Sequence, residues 1–160
     1  MKQSVYIETS IISYLTARMS RDLLVASHQQ LTRTWWDEQR KNFDLFVSEY
    51  VFSEAKAGDF SAAQLRLETM KELRILEVDS QVNDLVQKFL ASRVIPKKAL
   101  VDAFHIAVAT VHEMEYLLTW NCAHIANATI RSHLALEATK AGYRLPVICT
   151  PEELWGGKYV

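Results

Sequence analysis

The stretch Val5-Tyr6-Ile7-Glu8-Thr9-Ser10-Ile11-Ile12-Ser13-Tyr14-Leu15 starts as a short apolar run, turns polar over three residues and resumes as the start of a helix. A strand that passes through a polar turn into a helix opens a β-α unit, and the same cadence recurs along the chain. Leu45-Phe46-Val47 reads as a second strand, followed by a helix through Tyr50, Val51 and Glu54 that Gly58-Asp59 breaks. Leu73 to Val78 reads as a third strand, Tyr116-Leu117-Leu118-Thr119 as a fourth, and Val147-Ile148-Cys149 as a fifth, closed by Thr150-Pro151. Strands this short and apolar, alternating with helices, require a parallel sheet covered on both faces. The expectation is one doubly wound α/β domain over 1–160, with no repeat and no linker.

The helical segments carry their own signals. Leu24, His28, Leu31 and Trp35 share a face at helical spacing, and Ser61 with Gln64 forms a plausible capping box. Ser80 is expected to cap a helix whose Val82, Leu85, Val86, Phe89 and Leu90 form an apolar stripe. Leu100 to Met114 is apolar almost all round, as in a helix buried on most sides, with Pro96 marking the break before it. The pattern through Ile130, Leu134 and Ala138 ends at Gly142, a suitable C-terminal cap.

Composition narrows the class of protein. Of 160 residues 49% are hydrophobic and 23% charged, with a formal net charge of −1, so bulk attraction to nucleic acid is disfavoured while a local basic groove is not. Gly and Pro are too few for a fibrous or linker-rich chain, and no apolar run approaches the ~20 residues of a membrane span. The start MKQSVYIETS lacks the order of a secretory signal, which predicts a cytoplasmic protein with no membrane partner. Cys122 and Cys149 are too few and too far apart for a disulfide framework or a zinc ribbon.

Binding crevices of open parallel sheets lie beyond the carboxyl ends of the strands, at a topological switch point. Glu8-Thr9 ends the first strand, Thr119-Trp120-Asn121 the fourth and Thr150 the fifth. Glu54 follows the second strand, and Asp102 sits among Leu100, Val101, Ala103, Phe104, Ile106 and Ala107. A carboxylate on so apolar a helix must be neutral, paired or metal-bound; Lys97, Lys98 or Arg93 would serve as a partner, and a helix start favours an acid in any case. Glu8, Glu54 and Asp102 together form a set of hard oxygen donors that suits magnesium or manganese rather than zinc. His28, His105, His112, His124 and His133 show no metalloprotease spacing and no cysteine pairing; only His105, three residues from Asp102, stays as a minor candidate.

These residues resemble the blocks of the PIN-domain ribonucleases. Tyr6-Ile7-Glu8-Thr9-Ser10 resembles the family's first-strand motif, Val47-Ser48 leading to Glu54 its second, and Val101-Asp102-Ala103-Phe104-His105-Ile106-Ala107-Val108-Ala109 its third. Leu118-Thr119-Trp120-Asn121, followed by His124-Ile125-Ala126-Asn127, resembles the fourth. Four blocks in order span nearly the whole chain, and the length is similar to VapC-type toxins of bacterial toxin–antitoxin pairs. Glu8 stands where most members carry Asp, and Asn121 stands where they carry a further Asp; Asn retains a carbonyl oxygen but no charge.

The resemblance implies a three-layer α/β/α fold with about five short parallel strands. It further implies Mg²⁺- or Mn²⁺-dependent endonucleolytic cleavage of RNA, with Glu8, Glu54, Asp102 and Asn121 as the metal set and Thr119 as an additional catalytic residue. Thr9, and more distantly Ser48, are candidates for positioning water or a carboxylate. Arg18, Arg21, Lys97 and Lys98 are candidate backbone contacts, and Trp120 or Tyr14 candidate stacking surfaces for bases. A small antitoxin and a homodimeric state are implied as partners. The tail from Leu154 to Val160 carries large aromatics suited to self-packing or to a partner. Two other readings compete: a PIN-like module without catalysis, and a phosphorylation-receiver domain built on Glu8, Asp79, Thr119 and Thr150-Pro151. The latter lacks the receiver's lysine and second acid.

Overall fold

A computed structural model of the chain describes residues 1–155. Its strands are β1 (Gln3–Ile7), β2 (Phe43–Ser48), β3 (Arg74–Leu76), β4 (Tyr116–Leu118) and β5 (Val147–Cys149). All pair in parallel in the order β3-β2-β1-β4-β5. The helices are α1 (Thr9–Thr16), α2 (Leu23–Glu38), α3 (Glu49–Ala55), α4 (Phe60–Met70), α5 (Ser80–Ala91), α6 (Leu100–Val111) and α7 (Ala128–Lys140). Right-handed crossovers put connections that move toward β3 on one face and those that move toward β5 on the other. The packing agrees: α1 contacts α2, α3 and α4, while α5 contacts α6 and α7. The result is the expected α/β/α arrangement, with its switch point between β1 and β4.

The core follows from this layering. Val5, Tyr6 and Ile7 of β1 are wholly buried, as are Leu117 and Leu118 of β4, because central strands of a covered parallel sheet have no wet face. Helix α6 is buried continuously from Ala103 to Thr110, in keeping with its apolar composition. The edge strands are three residues long and expose Ile75 and Val147. Brevity limits the unpaired ladder available to another chain.

Several local expectations are corrected. The cap of α4 is Asp59, whose carboxylate accepts from Ala62 N at 2.9 Å, rather than Ser61 with Gln64. The cap of α5 is Asp79, accepting from Val82 N at 2.9 Å, and Ser80 is the first helical residue. In both cases an acid one or two places upstream combines the capping bond with the favourable helix dipole. Helix α6 stops at Val111, short of Met114, and the third strand keeps only Arg74–Leu76. Gly142 does close α7: its φ of +86° is the left-handed conformation a helix end requires.

The apolar face expected for α2 is also displaced. Leu24 is 66% exposed, whereas Gln29, Thr32, Trp35 and Trp36 are buried. The buried polar residues have work to do. Gln29 accepts from Ser20 N and donates to Arg18 O, tying down the α1–α2 connection. Trp35 Nε1 donates to Leu154 O at 2.6 Å, so the segment after β5 packs onto the domain through Leu154, while Trp155 is exposed. Tyr159 lies outside the described residues.

The two cysteines differ in environment. Cys122 is exposed, whereas Cys149 is buried at the end of β5. Burial, with a smaller contribution from the Glu153 charge and opposed by Arg131, pushes the Cys149 thiol up to about 12. A thiol-reactive disulfide reagent at neutral pH should therefore modify one thiol in the native protein and a second only in denaturant. Rapid release of two equivalents from the native protein would contradict this packing.

Candidate active site

The site is built where β1 and β4 end side by side. Ile7 is in register with Leu118, and the ladder continues through Glu8 N donating to Leu118 O at 3.1 Å. Glu8 and Thr119 thus leave the sheet as neighbours. Glu8 is 5% exposed and is the N-cap of α1, its Oε2 accepting from Ser10 N at 3.1 Å. Its Oε1 accepts from Ser10 Oγ and from Thr119 Oγ1, each at 2.5 Å. A buried carboxylate needs such donors, and a helix N-terminus is the place in the backbone that favours it.

Thr119 and Ser10 lock the fourth strand's exit onto this carboxylate. Thr119 Oγ1 accepts from Asn121 N at 2.9 Å, and Ser10 Oγ accepts from Trp120 N at 2.8 Å. Asn121 then reaches α6, its Nδ2 donating to Asp102 Oδ1 at 3.0 Å. The Asn121 oxygen accepts from His124 N at 3.2 Å, so the atom expected to face a cation is engaged by backbone. Asp102 lies in the first turn of α6, half-buried, where the helix dipole favours a negative charge.

Glu54 approaches from α3. Its Oε1 accepts from Thr9 Oγ1 at 2.7 Å and from His105 Nε2 at 2.6 Å. Burial opposes its ionisation, but the His105 hydrogen bond and charge and the Thr9 hydroxyl outweigh burial and hold the carboxyl below its usual value. The side chain remains 39% exposed. Potential ligand atoms of Glu8, Glu54 and His105 all lie within 4.8 Å of one another. Asp102 is joined to this group through Asn121 and Thr119 rather than by direct contact.

His105 is thus far more central than its spacing suggested. It is wholly buried, with Nδ1 2.7 Å from the Tyr6 hydroxyl, which is itself 2.7 Å from Ser48 Oγ. The signal in sequence was a histidine inside an otherwise apolar helix, which must find polar partners. Tyr6 and Ser10 carried no comparable signal, since one reads as a strand residue and the other as a helix start.

Trp120 is not an open stacking surface. It is 8% exposed, its Nε1 donates to Thr32 Oγ1 at 2.7 Å, and the His28 ring covers it at 4.0 Å and 10°. Tyr14 stacks on the same rings and is partly accessible. The receiver-type residues are spent locally: Asp79 caps α5, and Thr150 Oγ1 donates to Glu153 at 3.1 Å. Lys97 and Lys98 are exposed in the 3-10 turn that leads into α6, and Arg18 and Arg21 are exposed between α1 and α2.

The central junction can be tested by stability alone. Thr119→Val keeps the shape but removes the donor to Glu8 and the acceptor for Asn121 N, and should cost about 1–3 kcal/mol in urea unfolding with EDTA present. Thr119→Ser, which keeps the hydroxyl, should lose clearly less. Equal stabilities for the two variants would remove the hydroxyl from this role.

No protein-family profile matches the chain, and no curated protein does. Solved structures do. VapBC2 from Rickettsia felis, bound to a DNA fragment from its promoter, aligns over 92% of this chain and 98% of its own at 14% identity and a TM-score of 0.60. VapC20 of Mycobacterium tuberculosis, described as a sarcin–ricin loop cleaving toxin, aligns over 75% of this chain and 92% of its own at 13% identity and a TM-score of 0.59. FitAcB from Neisseria gonorrhoeae aligns over 94% and 99% at 12% identity and a TM-score of 0.56. Identities this low speak for architecture, and the architecture is clear: the chain has the PIN-like α/β/α fold of the VapC-type toxin structures.

Proposed function

We propose that this protein is a divalent-metal-dependent endoribonuclease, the toxin of a toxin–antitoxin pair. The observation that carries the reading is the convergence of Glu8 and Glu54 from separate elements, with ligand atoms within 4.8 Å of each other at the sheet's switch point. Asp102 completes a set of three carboxylates, a charge of about −3, enough to recruit one divalent cation. The donor set fits: Glu54 Oε2 and Asp102 Oδ2 are hard oxygens that carry no hydrogen bond among the described residues, while the one nitrogen in the cluster, His105 Nε2, is bonded to Glu54 Oε1. When bound, Mg²⁺ or Mn²⁺ would supply Lewis acidity toward a phosphodiester and lower the pKa of water at the site.

The chain's own residues prepare that site. Thr119 and Ser10 hold Glu8, and Thr9 and His105 hold Glu54. Asn121 holds Asp102, so it enters the site as a hydrogen-bond donor rather than as a fourth charge. RNA as substrate rests on the likeness to VapC20 and on exposed cations in segments adjoining two site-bearing helices, Lys97 and Lys98 just before α6 and Arg18 and Arg21 after α1. The antitoxin partner rests on the likeness to VapBC2 and FitAcB. Homodimerisation and a cytoplasmic location belong to the same proposal; no described helix is long and apolar enough to cross a membrane. Asn121 in place of an acid favours a second reading, a PIN-like binding module without catalysis.

Asp102→Asn and Glu54→Gln should each reduce cleavage of single-stranded RNA by roughly 100-fold or more, with unchanged circular dichroism. EDTA should stop the wild-type reaction, Mg²⁺ or Mn²⁺ should restore it, and Zn²⁺ at equal concentration should not. Robust cleavage in excess EDTA would overturn the metal mechanism. Absence of Mn²⁺ binding together with absence of cleavage would assign the chain to the binding-module reading.

A further inference from the structure

Behind Glu54 runs a polar column that none of the assigned cation-holding groups requires. Ser48 Oγ, the Tyr6 hydroxyl and the His105 ring follow one another at 2.7 Å steps from the end of β2 through β1 to α6, and His105 Nε2 delivers the column to Glu54 Oε1. All three residues are wholly buried. Polar groups in such a place are costly unless each is bonded, and each of these is.

Two features set the column apart from incidental core polarity. Ser48 is the N-cap of α3, with the extended backbone a cap requires, yet its hydroxyl makes no capping bond and is turned to Tyr6 instead. Glu54 sits in the last turn of that same helix, where the carbonyl ends repel a carboxylate. Something must hold it there, and the holding is one-sided: Thr9 and His105 both bond Oε1.

The bond at the Glu54 end of the column has a fixed direction. An ionised carboxylate only accepts, so Nε2 carries a hydrogen. Burial above all, reinforced by the Glu8 and Glu54 charges and opposed by the Ser48 bond, keeps the Tyr6 hydroxyl a neutral phenol. The other ring nitrogen, Nδ1, is held by the Tyr6 hydroxyl, which in turn is held by Ser48 Oγ. Both ring nitrogens are thus engaged by protein groups, although Nε2 lies among the clustered donor atoms.

We infer that Ser48, Tyr6 and His105 are positioning residues: Ser48 and Tyr6 orient the His105 ring, and the ring holds Glu54 Oε1, presenting Oε2 to a divalent cation. The inference rests on the reading that Glu54 takes the cation. The experiment is calorimetric titration of Mn²⁺ into the wild type, Glu54→Gln, His105→Leu, His105→Gln and Tyr6→Phe, with circular dichroism of each in EDTA. Glu54→Gln and His105→Leu should each weaken binding roughly 10–100-fold, as loss of a ligand's partner does. Tyr6→Phe should fall between these and the wild type, and His105→Gln, which keeps an N–H on a side chain of similar reach, should recover most of the His105→Leu loss. That recovery separates positioning from mere packing.

A folded His105→Leu that binds Mn²⁺ like the wild type, while Glu54→Gln does not, overturns the positioning role alone. Unchanged binding in Glu54→Gln overturns instead the assignment of Glu54 to the cation. If His105→Leu does not fold, Tyr6→Phe, which removes one oxygen, decides by the same criterion. A directly coordinated imidazole nitrogen in the pulsed electron paramagnetic resonance spectrum of the Mn²⁺-loaded wild type would make His105 a ligand and overturn the inference.

Discussion

A carboxylate enclosed between two parallel strands is the constraint on which this molecule is organised. Glu8 leaves β1 beside the exit of β4 and is 5% exposed, so its charge must be met by donors close at hand. Those donors are the backbone N–H and hydroxyl of Ser10 in the first turn of α1 and the hydroxyl of Thr119. Satisfying one charge therefore fixes the start of a helix, the exit of the neighbouring strand and the direction in which Asn121 points. Asp102 is then held by Asn121, and the chain from β1 to α6 becomes one hydrogen-bonded unit.

The second acid is held by a different route, which explains why the site tolerates it. Glu54 stands at the unfavourable end of a short helix, so its place depends on Thr9 from α1 and His105 from α6. His105 is in turn held through Tyr6 and Ser48, the latter giving up its cap to do so. The core and the site are thus not separate regions. The interior of β1 presents a phenol hydroxyl to the back of the site while its end presents a carboxylate to the front.

The alternation of short apolar runs with helical patterns was enough to place all five strands and to infer a covered parallel sheet, because periodicity and length report burial directly. The acids at strand ends and helix starts were legible for the same reason: a charged residue next to an apolar run is conspicuous. Caps were legible only approximately. Asp59 and Asp79 displaced Ser61 and Ser80 since several adjacent residues can cap, and the helix start is decided by packing to within a turn.

Partnership between distant residues had no local signature. Tyr6 is 99 positions from His105 and 42 from Ser48, and nothing in the composition of β1 distinguishes a tyrosine that bonds from one that packs. Trp120 looked available beside the fourth strand until His28 of α2 and Thr32 closed over it. Asn121 is a candidate ligand by its carbonyl oxygen, whereas in the fold its amide nitrogen faces Asp102 and its oxygen takes His124 N. Residue types and their order along the chain settle which elements form and which carry charge, because those depend on neighbours in sequence. Which polar atoms meet depends on strand order and on register across the switch point, and only the folded sheet decides that.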